Sequence, residues 1–92
     1  MNNETKITDV QINPVRPQDG LIAFASVIIF EQFRLNNIAL RTTLNGGYRL
    51  VFPAKKLRNG AEIESFHPIT AEATVALTNA IVEKYEDLMF KE

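Results

Sequence analysis

The chain has 92 residues, 46% of them hydrophobic, and a formal net charge of −1. That length allows one small domain, marginal alone and helped by oligomerisation. With no cysteine there is neither a disulfide framework nor a thiolate metal site, and the longest apolar run, "LIAFASVIIF", is about half the ~20 residues a membrane-spanning helix needs.

Residues 1–5 read as a disordered leader without a targeting pattern, and residues 6–92 as a single domain. These features predict a soluble cytoplasmic protein with no membrane partner. "KITDVQINPV" has a strand-like mix, closed by Pro14 and Pro17, and "RPQDG" carries turn chemistry. "LIAFASVIIF" is apolar on both faces and predicts a central strand covered on both sides. "FRLNNIALRTTL" predicts its hairpin partner, with Glu31 and Gln32 at the corner.

"NGG" at Asn45–Gly47 predicts a type I′ turn. The returning "YRLVF" places Tyr48, Leu50 and Phe52 on one face and Arg49 and Val51 on the other, until Pro53 ends the ladder. "FPAKKLRNG" reads as a cationic loop, and "AEIESFH" as a short last strand or an extended segment up to Pro68.

One helix follows. Thr70 is a suitable N-cap, Glu72 suits the positive end of the dipole, and residues 71–90 lack Gly and Pro. Ala73, Leu77, Ala80, Ile81, Tyr85 and Leu88 gather on one side, and Val75, Val82 and Met89 widen the stripe. An apolar arc of about 200° exceeds the ~100° that one packing surface needs. It predicts a second contact through Val75, Val82 and Met89, most simply a homodimer interface. The fold class is α+β: a mainly antiparallel sheet of four to five strands with a C-terminal helix packed on it.

The charge is unevenly placed. Arg34, Arg41, Arg49, Lys55, Lys56 and Arg58 fall within residues 34–60, which contain no acid, and the flanking segments are net acidic. Such asymmetry points to a polyanion. Lysine supplies a mobile point charge and arginine a two-toothed clamp for phosphate oxygens. The six cations are therefore the candidate nucleic-acid-binding residues. Tyr48, Phe52 and Phe33 lie near them and need surface exposure before they count as stacking groups.

The remaining residues carry no catalytic signature. His67 is the single histidine and lacks a visible orienting acid, nucleophile or set of co-ligands. Glu62 and Glu64 share a strand face, and no glycine-rich phosphate loop is present. The expectation is no enzyme, no metal, no cofactor and no small-molecule substrate; a ligand module would need a concave polar pocket around His67.

Three stretches carry a family resemblance: "ITDVQI" at 7–12, "FPAKK" at 52–56 with Gly60 following, and "HPI" at 67–69 before the helix. In this order and spacing, over about residues 6–89, the chain resembles the SpoVG family of septation proteins. The resemblance implies a small dimeric α+β fold and a bacterial regulator of cell division and developmental programmes that binds DNA and, in some members, RNA. The family's basic segment falls here on Lys55 and Lys56. Where the family often has Ser and then Arg, this chain has Ala54 and Lys56, and Arg58 stands where relatives often have no charge. Lysine keeps the charge and loses the bidentate fork, which favours gripping the backbone over reading bases. The alternative expectation is a protein–protein adaptor in septation or signalling without nucleic-acid contact.

Overall fold

The computed structural model describes residues 5–90; most of the expected leader, residues 1–4, lies outside the described residues. Six strands and one helix follow in chain order: β1 (Ile7–Gln18), β2 (Leu21–Ile29), β3 (Phe33–Thr42), β4 (Tyr48–Val51), β5 (Ala54–Lys56), β6 (Glu62–Glu64) and α1 (Ala71–Phe90). The first four form an antiparallel meander in spatial order β1-β2-β3-β4, and β5 and β6 pair as a separate two-stranded sheet. The α+β class therefore holds. The segment read as a last strand extends the cationic stretch instead of joining the main sheet.

Each turn follows from its backbone demands. Asp19 and Gly20 both have positive φ (52° and 90°) between the paired Gln18 and Leu21. This is the two-residue I′ geometry that Asp-Gly favours. At "NGG" only Gly46 has positive φ, with its N–H donating to the Thr43 carbonyl (3.1 Å) and the Thr43 N–H donating to Gly47 (2.9 Å). That pattern is a three-residue loop with a glycine bulge, so the expected I′ turn sits at Asp19–Gly20 instead.

The prolines do not close β1. It runs through Pro14 and Pro17 because it is the sheet's edge, where a missing N–H leaves no central ladder incomplete.

The core lies between the sheet and α1. Ala23, Ala25, Val27, Ile38 and Leu40 from the sheet meet Leu77, Ile81 and Tyr85 from the helix, all of them buried. Tyr48, Leu50 and Phe52 pack against this cluster, the face predicted for them. The helix begins at the predicted cap, where the Thr70 Oγ1 accepts from the Ala73 N–H at 3.0 Å. One helix covers one face. The opposite face of β2 is not covered as expected: Phe24 is 38% exposed there, between the fully enclosed Ala23 and Ala25.

Candidate nucleic-acid interface

The cationic stretch is a hairpin, not an open loop. Lys55 pairs with Ile63 and Lys56 with Glu62 across the β5–β6 ladder. Successive strand residues point to opposite faces, so Lys55 and Lys56 diverge. Lys56 shares its face with Glu62 and Glu64, while Lys55 shares its face with Ile63.

Arg58 occupies the hairpin tip. The Gly60 N–H donates to the Leu57 carbonyl (3.0 Å) and the Leu57 N–H to Ala61 (2.7 Å), with Gly60 at φ 87°. This repeats the turn at Thr43–Gly47, including an Asn-Gly at the same two positions. The Ser65 N–H donating to the Pro53 carbonyl (2.7 Å) closes the base of the hairpin, and Phe52 and Phe66, packed edge to face on each other, anchor that base against the core.

The other cations separate into two places. Arg41 and Arg49 are direct partners across β3–β4. They point away from the core because their neighbours Leu40 and Leu50 point into it. With Asp19, Gly20, Thr42, Thr43 and Leu44 they line a cleft of about 690 Å³. The Arg41 guanidinium donates to the Asp19 carbonyl.

Arg34 sits seven residues from Arg41 along β3, roughly 20 Å at strand spacing. It is occupied internally: Nη2 pairs with the Asp9 carboxylate and Nη1 donates to the Ser26 hydroxyl at 3.2 Å. The guanidinium holds Asp9 below the ordinary carboxylate range, chiefly through that hydrogen bond.

The six cations thus form a hairpin group (Lys55, Lys56, Arg58), a sheet-end pair (Arg41, Arg49) and one tied arginine. Among the described residues, Arg49, Lys55, Lys56 and Arg58 enter no ion pair, and all four are exposed.

The aromatic candidates divide as well. Tyr48 and Phe52 pack against the core, and Tyr48 donates its hydroxyl to Glu86 at 2.9 Å. Burial and that carboxylate raise the Tyr48 pKa. Phe33 is exposed. Sequence reasoning passed over Phe24 because an unbroken apolar run reads the same whether one face or both are covered.

His67 has a partner the sequence did not reveal: Nδ1 lies 3.3 Å from the Glu64 carboxylate, three residues earlier. His67, without Glu64, also lines a pocket of about 260 Å³ walled by Ile29, Phe30, Leu35, Phe52, Phe66 and Leu77. The hollow is concave and its walls are apolar, not the polar site a ligand module would need. Among the described residues, no group of three or more His, Asp or Glu side chains is placed to hold a metal ion, and no helix is long and apolar enough to cross a membrane.

On the helix, Val75 and Met89 are 56% and 47% exposed, whereas Val82 packs partly buried against the chain's own core.

The SpoVG family model matches residues 5–87. The chain belongs to the SpoVG family. Among its relatives is a septation protein SpoVG of Treponema denticola, 36% identical over 81 residues, covering 88% of this chain and 86% of that protein. Similarly named proteins of Desulforudis audaxviator and Acetivibrio thermocellus are 31% and 30% identical, covering 88% and 90% of this chain and 91% and 87% of theirs. The SpoVG match includes every strand and most of α1, so both cation groups and the tied Arg34 lie within the family's domain.

Proposed function

We propose that this SpoVG-family chain is a homodimeric nucleic-acid-binding regulator, acting in the cytoplasm on cell division and developmental gene expression. One observation carries the reading: four exposed cations that enter no ion pair are held on ordered backbone, three of them on the β5–β6 hairpin. Exposed cations outside any ion pair are available to phosphates. The relatives' names link the family to septation, and the family resemblance links it to DNA and RNA.

Lys55, Lys56 and Arg58 grip phosphates from the hairpin, and Arg41 and Arg49 extend the footprint at the sheet end. Arg34 acts inside the fold. Few contacts per chain give weak binding, and a dimer doubles them. Val75 and Met89, one stripe of the helix, supply the apolar surface for that dimer. No catalysis or cofactor enters the mechanism. The test is affinity for duplex DNA and single-stranded RNA over a salt series, with sedimentation of wild-type protein and Val75→Asp for the dimer. Salt-independent retention, or none, would reject the binding role, and a wild-type monomer would reject the dimer.

A second reading, a protein–protein adaptor, is favoured by the apolar pocket and the exposed Phe30 and Ile69 at its edge. Salt-insensitive behaviour toward nucleic acid would favour it.

A further inference from the structure

The face of the sheet opposite α1 has a composition the core does not require. One row crosses all four strands in register: Asn13, Phe24, Ala39 and Val51. Phe24 is 38% exposed in the middle of this row. Its neighbour on β3 is alanine, whose methyl group cannot cover a phenyl ring. Two residues further along β3 on the same face is Arg41, the diagonal neighbour of Phe24, and Arg41 faces Arg49. Diagonal positions are about 7–8 Å apart, within reach of an aromatic ring and a long cationic side chain.

An apolar ring at the centre of an uncovered sheet, with two arginines on one side and an exposed amide on the other, matches the needs of an unpaired polynucleotide. Bases stack on aromatic faces whatever their sequence, and cations track the phosphates. A duplex cannot use the ring, because its bases are stacked inside.

We infer that the open sheet face is a second nucleic-acid contact surface, specific for single strands, with Phe24 as the stacking group and Arg41 and Arg49 as phosphate ligands. The inference rests on the nucleic-acid reading above and adds the strandedness of the ligand. The hairpin cations and the arginine pair serve single and double strands alike, whereas the Phe24 ring serves only the single strand. Charge decides the occupant: an apolar protein partner would bring no counter-charge to the arginine pair, and a nucleic-acid strand brings one per nucleotide.

The experiment compares binding of a labelled 12-nucleotide single strand, as RNA and as DNA, with that of the same sequence as a duplex. Phe24→Leu keeps the apolar volume and removes the ring; Phe24→Tyr keeps the ring. Circular dichroism establishes that both fold. Phe24→Leu is expected to weaken single-strand binding by roughly 5- to 150-fold for one stacked base and to leave duplex binding unchanged. Phe24→Tyr is expected to retain single-strand binding, and Arg41→Ala to weaken it. Equal affinities of wild type and Phe24→Leu for the single strand would overturn the inference while hairpin-dependent duplex binding kept the broader reading. Absence of binding to every probe would overturn both.

Discussion

Arg41 and Arg49 stand directly opposite each other across the β3–β4 ladder, like charge facing like charge. Such a pair is unfavourable in a sheet, by about 0.2–1 kcal/mol relative to a neutral pair. Replacing one arginine is therefore expected to stabilise the fold while weakening binding. Arg49→Thr should raise the unfolding free energy by up to about 1 kcal/mol and reduce the salt slope for nucleic acid by about one unit. A denaturant titration and a salt-series binding assay on the same variant check both halves.

Arg34 makes the opposite prediction. Its guanidinium is committed to Asp9 and Ser26, so Arg34→Ala should leave the salt slope unchanged. Asp9 has a lowered pKa in the fold, caused first by the Arg34 hydrogen bond. A depressed carboxyl contributes stability that is present above its unfolded value near about 3.9 and is lost as pH falls through the lower folded value. NMR titration of Asp9 should show the depressed value in wild type and its return toward the ordinary one in Arg34→Ala.

The divergence of Lys55 and Lys56 makes their contributions unequal. Lys56 shares a face with Glu62 and Glu64, whose carboxylates repel an approaching phosphate. Glu62→Gln should tighten nucleic-acid binding, most clearly at low salt where the screening length is long. Measured dissociation constants at low and high ionic strength test this; the ratio of mutant to wild type should approach one as salt rises.

Two glycines separate conformational from steric demand. Gly20 has φ 90°, and a Cβ there would meet the Thr42 carbonyl oxygen at 3.2 Å, while Gly60 has φ 87° and nothing within 4 Å. Gly60→Ala should cost about 1–2 kcal/mol, the penalty for an L-residue in that region. Gly20→Ala should cost more, because backbone must also shift. Chemical denaturation of the two variants gives the comparison directly.

Much of the fold was legible. The helix from 71 to 90 and its Thr70 cap follow from local chemistry, and the faces of Tyr48, Leu50 and Phe52 follow from a short regular strand. The cation positions were less so. β1–β2 and β2–β3 each contain two register shifts, at Thr8/Gln11 and Pro14/Gln18 and at Leu21/Ala23 and Ala25/Val27. Every shift can reverse which face later residues take, and no local pattern announces it. That is why Arg34 and Arg41 belong to different environments on one strand. The Glu64–His67 contact was hidden because the chain turns between a strand end and Pro68, where neither helical nor strand spacing applies. The open face at Phe24 was hidden because covering a sheet is a property of layer count, not of the strand itself.

Whether the β5–β6 hairpin grips phosphates is read from the salt dependence of duplex binding for wild type and for the Lys55→Ala, Lys56→Ala double variant. A gripping hairpin gives a linear fall of log K with log salt for wild type and a slope shallower by up to about two units per chain in the variant. Identical slopes and affinities for the two proteins would contradict it.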